Sequence, residues 1–485
     1  MFTRDKLYVG GEWRKPSTGQ ILKVISPHTE EVVGKVPSAA TEDIDAAVAA
    51  ARASFDSGMW SRRSPEERIE TLRRLEIAYA KRVDELAELI TLEMGSPISI
   101  SRMVHVPMSS MTLSAMLDVA EEYVWDERRT GFSGQEFRIR SEGVGVVAAI
   151  SPWNTPQFVL MVKLAPALLA GCSIILKPSP ESPLDAFVLA EILDEVGLPR
   201  GVVSILPGGR DVGQYLVAHP DVDKVAFTGS TEAGRIIGGI CGQQLKRVSL
   251  ELGGKSAAIV LEDADLDNLA MGLKFAGMLN SGQVCAAQTR VLAPRSMYNQ
   301  VVEALVAMAS NLQVGDPSSE LTEIGPLVSS RQRDRVQGFI AGGVAEGALL
   351  AVGGPGQPAS LASGWYVEPT IFANVSNEMT IAREEIFGPV LAVIPYDDEE
   401  SAIRIANDSQ YGLSGTVWTS DIERGYKIAE QVRTGTFGVN QFNTLDFKCP
   451  FGGFKSSGLG RELGREGLSS YLEIKSIAPP PAIAG

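Results

Sequence analysis

A chain of 485 residues, at roughly 150 residues per domain, predicts about three domains, or two large ones with an appendage. Its 44 Lys and Arg against 59 Asp and Glu leave a net charge of −15, which is repelled by phosphate backbones and anionic lipid and speaks against nucleic-acid and membrane partners. Hydrophobic content of 44% with 21% charged residues excludes a disordered or fibrous chain. Three His (His28, His105, His219) and four Cys (Cys172, Cys241, Cys285, Cys449) are scattered, so neither a metal site nor a disulfide framework is expected.

Met1 to Gly11, with Arg4, Asp5 and Lys6, lacks the apolar core of a secretory signal. The first ~120 residues read as helical after a short β-type start. Ser64-Pro65-Glu66-Glu67 opens a helix: Ser64 can cap, Pro65 suits the first turn, and Glu67 can reach back. The amphipathic run Arg68 to Met94 follows as its continuation. Within 121–141, Phe137-Arg138-Ile139-Arg140 alternates after the turn-prone Thr130-Gly131 and Ser133-Gly134, which predicts a projecting β-hairpin.

From Gly143 the pattern is strand, turn, helix, repeated: Val144–Ile150, Ser173–Leu176, Val202–Leu206 and Lys224–Phe227 as strands, with Pro183–Val196 as a covering helix. The most apolar stretch, 158–176, is interrupted by Lys163 and Pro166 and falls short of the ~20 apolar residues of a membrane span, so a cytoplasmic protein is expected. Four strand ends carry polar residues where open α/β sheets bind ligands. They are the turn Pro152-Trp153-Asn154-Thr155, where Asn154 is either turn chemistry or an amide donor for an oxyanion; Lys177 with Ser179; Gly229-Ser230, opening a helix that suits a phosphate; and Glu251, either a surface carboxylate or a general base in a partly apolar setting.

A second βα set follows Leu252, with Ala257–Leu261 as a strand and Leu266–Leu279 and Ser296–Leu312 as helices. Cys285 lies between a helix stop at Asn280-Ser281-Gly282 and the strand-like Thr289–Leu292, a place where a turn can present a thiol to a cleft. At an ordinary pKa of ~8.5 a few per cent of such a thiol is ionised at neutral pH. With so few His in the chain, a Cys–His protease has little support. Tyr471–Ile477 alternates as a terminal strand before Pro479-Pro480-Pro481, and its partner is the 121–141 hairpin or a second subunit.

Taken in order, Pro152-Trp153-Asn154, Lys177-Pro178-Ser179, Phe227-Thr228-Gly229-Ser230, Glu251-Leu252-Gly253-Gly254-Lys255, Gly282-Gln283-Val284-Cys285, Glu385-Ile386-Phe387-Gly388-Pro389 and Pro450-Phe451-Gly452-Gly453 through Gly460-Arg461-Glu462 resemble the aldehyde dehydrogenase superfamily. The resemblance implies an α/β fold: a Rossmann-like coenzyme-binding domain (1–120 and 142–252), an α/β catalytic domain (253–445), and a small β oligomerisation element with the C-terminal segment (121–141 and 446–485). It implies oxidation of an aldehyde to the acid through a Cys285 thiohemiacetal and thioester, with Asn154 and the Cys285 N–H holding the oxyanion. Glu251 would activate the hydrolytic water, and Glu462 would share the proton route. Members that pass the acyl group to coenzyme A lack the Glu251 base, so the resemblance favours hydrolysis.

Implied cofactor contacts are Trp153, Lys177, Ser179, Gly229, Ser230, Glu385 and Phe387, on NAD; NADP is also open, because Pro180 stands where NAD-selective members often have Glu, with Glu181 one place on. Thr155 replaces an aromatic residue of several members and implies a wider or more polar substrate entrance. The implied partners are a small-molecule aldehyde and further copies of the chain, as a homodimer or homotetramer.

Overall fold

Short apolar strands separated by covering helices give two parallel sheets, each buried on both faces. The computed structural model describes residues 1–480; 481–485, which include Pro481 and the end of the 446–485 segment, lie outside the described residues. In the first sheet β1 (Val146–Ile150), β2 (Ser173–Lys177), β3 (Val203–Ile205), β4 (Lys224–Thr228) and β5 (Arg247–Glu251) stand in the order β5-β4-β1-β2-β3, all parallel. Side chains alternate between two cores: Val147, Ala149, Ile174 and Ala226 on one face, Val146, Ala148, Ile175 and Val225 on the other. Burial on both faces is what a parallel sheet requires.

The second sheet runs Leu349–Val352, β8 (Thr370–Ala373), β9 (Val390–Tyr396), β7 (Arg290–Pro294), β6 (Ala257–Val260), β10 (Gly415–Trp418) and Gly438–Val439. Only Leu349–Val352 is antiparallel to its neighbour. Here Ile259, Leu292 and Ala392 face one core and Ala258, Val291 and Val393 the other. Five residues, Leu252 to Ser256, join β5 to β6, and all are buried.

The first sheet grows outward from β1 through β2 to β3, and the chain then returns to β4 on the far side of β1. That reversal opens a crevice between the carboxyl ends of β1 and β4, where such sheets take ligands.

Several sequence expectations are corrected. The start is richer in strand than predicted: five short strands occupy Phe2–Pro37 before the first helix. Two of them, Leu7–Val9 and Glu12–Arg14, extend the first sheet antiparallel beyond β3. The helix opened at Ser64 does form with its predicted cap, Ser64 Oγ accepting the Glu67 N–H and Glu67 Oε2 accepting the Ser64 N–H. It ends at Ala80, however, and a second helix, Val83–Met94, replaces the single run. The hairpin is Asp126–Thr130 with Glu136–Gly143, a few residues later than predicted because the preceding helix runs to Glu122. Its second strand also pairs with Leu472–Ile477, so the terminal strand finds its partner within the chain. Among the described residues no helix is long and apolar enough to cross a membrane.

One buried pair of carboxyls sets a pH response of the fold. Glu93 and Asp185 are both fully buried, and Glu93 accepts the Leu184 and Asp185 N–H groups at 2.7 and 3.1 Å at the start of the helix Leu184–Val196. Burial pushes the Asp185 carboxyl up to about 7. Burial, and then the charge of Asp185, raises Glu93 well above the ordinary carboxylate range. A carboxyl whose folded pKa is raised stabilises the fold below its unfolded value of about 4, and that contribution is lost as pH rises toward 7. Asp185→Asn is therefore expected to gain thermal stability over the parent by roughly 2 °C at pH 8 and to show no gain at pH 4. Melting curves at the two pH values check this; a gap that does not open with pH counts against it.

Candidate active site

The polar strand ends lie side by side: Glu251 on β5, Thr228 leading to Gly229 after β4, Ser151 to Asn154 after β1, and Lys177 on β2. Three strand spacings, roughly 14 Å, separate the first from the last. Ser230 caps the helix Thr231–Gln244, its Oγ accepting the Ala233 N–H at 3.3 Å. Its oxygen is thus engaged locally, while the free N–H groups of the first turn remain directed at the crevice mouth.

Cys285 comes from the other sheet. The helix Leu266–Met278 stops in a run of left-handed residues, Asn280, Ser281 and Gly282, with φ of 56°, 57° and 73°. Each non-glycine member is pinned. Asn280 Nδ2 donates to the Asn154 carbonyl at 2.9 Å and Ser281 Oγ to the Gly325 carbonyl at 2.8 Å. Gln283 then bonds Asn280 O at 3.1 Å and receives the Val328 N–H at 3.1 Å. A Cβ on Gly282 would stand 2.1 Å from the Gly388 carbonyl oxygen, so the Gly282-Gln283 and Phe387-Gly388 segments abut. Asn154 is 6% exposed, and its Nδ2 donates to Gln283 O at 2.8 Å, which leaves one amide N–H for a ligand. The first sheet's amide and the second sheet's thiol are thereby locked together.

Burial raises the pKa of Glu251 well above the ordinary range, and the charge of Glu462 adds to it; Lys163 and Arg461 oppose. Both Glu251 carboxyl oxygens are buried and make no hydrogen bond within the protein, so the group is free to engage water or a ligand. Behind it, Lys163 is fully buried and donates to Thr228 Oγ1 at 2.8 Å and to Glu462 Oε1 at 2.5 Å. Burial pushes the Cys285 thiol up to about 12, with Glu385 and Glu251 as lesser causes. The direction corrects the expectation from the sequence: burial leaves less thiolate at rest than an ordinary thiol would hold at neutral pH.

One cavity of about 950 Å³ is lined by Trp153, Asn154, Gly229, Ser230, Glu251, Cys285, Glu385, Phe387 and Glu462. Nine of the eleven residues singled out from the sequence therefore meet. Lys177 and Ser179 do not line it. Lys177 lies one strand further along, 5% exposed, with Nζ bonded to the Pro178 carbonyl at 3.2 Å and its pKa lowered by burial to about 8. The Ser179 hydroxyl bonds the Glu181 carboxylate, which also accepts from Arg331 at 3.2 Å. Glu385 Oε1 accepts the Gly254 N–H at 3.0 Å, and Phe387, with φ of 62°, meets Trp153 edge to face at 5.4 Å between centroids. An expected dinucleotide fits this donor set: unfilled helix N–H groups at the centre, a buried ammonium with spare donors at one end, and a fixed carboxylate and aromatic pair at the other.

Asn280, Gln283 and Lys163 were not singled out as functional. The signals were present: a Lys in the apolar run 158–176, and Asn and Gln flanking the helix stop before Cys285.

The aldehyde dehydrogenase family profile matches residues 13–477. A geranial dehydrogenase of Castellaniella defragrans is 46% identical over 471 residues, covering 97% of this chain and 98% of that protein. A 3-succinoylsemialdehyde-pyridine dehydrogenase of a Pseudomonas species is 44% identical over 474 residues, with coverage of 97% and 98%. Among solved structures, an aldehyde dehydrogenase of Mycobacterium tuberculosis complexed with NAD+ superposes with a TM-score of 0.97 at 49% identity and full coverage of both chains. One from Pseudomonas syringae, complexed with NAD+ and octanal, gives 0.95 at 40% identity, covering 99% of this chain and 98% of that one.

Lys163→Met is expected to destabilise the protein by about 3–5 kcal/mol, because it leaves the Glu462 carboxylate buried without its cation. Chemical denaturation measures this; a loss below about 1 kcal/mol would show that the pair behaves as a solvated surface bridge.

Proposed function

The chain belongs to the aldehyde dehydrogenase family, and from that premise we propose that it oxidises an aldehyde to the carboxylic acid with NAD+ by covalent catalysis at Cys285. The observation that carries this reading is the meeting of thiol, amide and unpartnered carboxyl in one cavity, with the thiol and the amide fixed by a shared set of hydrogen bonds. Cys285 Sγ, on losing its proton, adds to the carbonyl carbon. The free Asn154 N–H and the Cys285 backbone N–H hold the oxygen as it gains charge, a stabilisation worth about 10^2–10^3 in rate for one such donor. Bound NAD+ supplies the hydride acceptor that turns the Cys285 adduct into a thioester. Glu251, ionised, takes a proton from water as its oxygen adds to the thioester carbon; the C–S bond then breaks, releasing the acid and returning Cys285. Glu462, bonded to Lys163, stands next to Glu251 and supports a proton route away from the cavity.

For the cofactor, Lys177 and Ser179 would take the adenosine ribose, Gly229 and Ser230 the pyrophosphate, and Glu385 the nicotinamide ribose, with Phe387 and Trp153 against the nicotinamide. Pro180 leaves the usual discriminating position empty of charge, yet Glu181 brings a carboxylate to Ser179, which supports NAD+ over NADP+. The NAD+ complex of the Mycobacterium tuberculosis relative agrees with that choice. Assembly as a homodimer or homotetramer is supported by the three-stranded terminal sheet, whose outer strands, Asp126–Thr130 and Leu472–Ile477, each leave one edge unpaired.

Cys285→Ala is expected to abolish NADH formation with any aldehyde while the protein still melts cooperatively. Glu251→Gln is expected to keep a first-turnover burst of NADH and to lose about 10^2–10^4 in steady-state rate. Absorbance at stopped-flow and steady-state times separates the two; full turnover in either variant overturns the assignment. Because burial raises the pKa of the Cys285 thiol, kcat/KM of the parent enzyme should rise from pH 6 to pH 9, and a profile that falls over this range contradicts the role given to Cys285.

A further inference from the structure

The cavity is divided by charge. Glu232, Arg235, Arg335, Glu384 and Glu385 line one part, with Glu251 and Glu462 beside the thiol. The segments 100–111, 155–162, 275–288 and 442–451, which line the other part, contribute no Asp, Glu, Lys or Arg side chain to it. Cys285 lies where the two linings meet, between Val284 and Ala286 and within electrostatic reach of Glu251 and Glu385.

The apolar part is built deliberately. Ser101–His105 form one π-helical turn between Ile98–Ile100 and the helix Val106–Glu122. The wider turn shifts the phase of the helix, a feature that recurs at functional sites. Met103, Met108 and Met111, on this turn and the helix after it, all line the cavity. Opposite elements supply Phe158 and Phe447, edge to face at 6.3 Å, and Phe275, packed on Phe442 at 5.3 Å. Met103 and Met111 are 67% and 53% exposed, so the apolar wall continues to an open mouth. Apart from Cys285, His105 is the one titratable side chain on these segments that faces the cavity; it is buried and held neutral, its pKa lowered to about 4.

We infer that the substrate arm of this cavity selects uncharged apolar aldehydes of medium to long chain, and rejects aldehydes that carry a carboxylate or ammonium at the far end. The inference rests on the aldehyde-oxidation reading above and names its substrate class. A flexible thioether wall with aromatic neighbours adapts to alkyl and branched chains and gains from each methylene it covers. A terminal charge would lose its water with no counter-ion in the lining, a cost that the same contacts do not offset. Thr155, at the start of the helix Pro156–Leu169, lines the arm without adding charge, so the entrance implied by its small side chain is wider while staying neutral.

The test is a steady-state panel with NAD+: acetaldehyde, butanal and octanal for length, and succinic semialdehyde and 4-aminobutanal as charged counterparts of butanal. At up to about fourfold per covered methylene, kcat/KM for octanal is expected to exceed that for acetaldehyde by at least about tenfold. Butanal is expected to exceed each charged counterpart by a similar factor. Met103→Glu, at an exposed position that tolerates the charge, is expected to narrow the octanal to acetaldehyde ratio at least threefold. A charged aldehyde that matches butanal, or a ratio indifferent to chain length, overturns the inference and leaves the oxidation reading standing. NADH from none of the five overturns both.

Discussion

The left-handed run Asn280-Ser281-Gly282 is the constraint on which the site depends. An L residue in that conformation costs about 1–2 kcal/mol, so Asn280 and Ser281 together cost about 2–4 kcal/mol. Four hydrogen bonds hold them and the following Gln283: Asn280 to Asn154 O, Ser281 to Gly325 O, Gln283 to Asn280 O, and the Val328 N–H to Gln283. At about 1 kcal/mol net each, they offset the strain with little to spare. The same bonds fix the turn that follows β1 against the turn that precedes β7. Backbone strain at the thiol is therefore balanced by the contacts that align thiol and amide, and relaxing one disturbs the other.

A second consequence concerns charge. Three carboxyls, Glu251, Glu385 and Glu462, stand in the cavity around a single thiol, with Lys163 the fully buried cation bonded to one of them. Were all ionised, their repulsion in a medium of low dielectric would be severe. Burial is the largest cause of the raised pKa values of Glu251, Glu385 and Cys285, with the charge of Glu462 adding at Glu251 and those of Glu385 and Glu251 adding at Cys285. Burial favours the protonated forms of Cys285 and Glu251, so the reactive thiolate and the base are formed in use rather than stored.

Much of this was legible in the chain because it is local. The βα alternation, the Ser64 cap, the helix stop before Cys285 and the polar strand ends all follow from residues within a few positions of one another. What was not legible depends on distant partners. Lys163 in an apolar helix read only as an interruption, since its partner Glu462 lies 299 residues away. Asn280 read as a helix stop, since the carbonyl it holds is 126 residues away. The break after Ala80 is a further case: the run Arg68 to Met94 is amphipathic throughout, and packing, not periodicity, divides it. Lys177 stands at a strand end as expected, one strand width beyond the turn that carries Asn154, a spacing that the sequence does not state.

The connection from β5 to β6 shows how a motif can be dictated by proximity instead of backbone freedom. Neither Gly253 nor Gly254 has a positive φ, so neither is needed for an unusual conformation. A Cβ on Gly253 would lie 2.5 Å from Glu385 Oε2, and one on Gly254 would lie 2.3 Å from the Cys285 carbonyl oxygen. Leu252 and Gly253 are in turn bonded to Ser457, at 2.9 Å through its carbonyl and 2.7 Å through its hydroxyl. The chain passes through this gap on its way from β5 to β6, and it must do so with no Cβ against the Glu385 carboxylate or the Cys285 carbonyl. The order Glu-Leu-Gly-Gly thus places the carboxyl of Glu251 at the last strand position and then removes the Cβ at the two positions that pass Glu385 and Cys285. The direct link from β5 to β6 runs past the site residues, and together with the bonds of Asn280 and Asn154 it holds the thiol of one sheet near the carboxyl of the other.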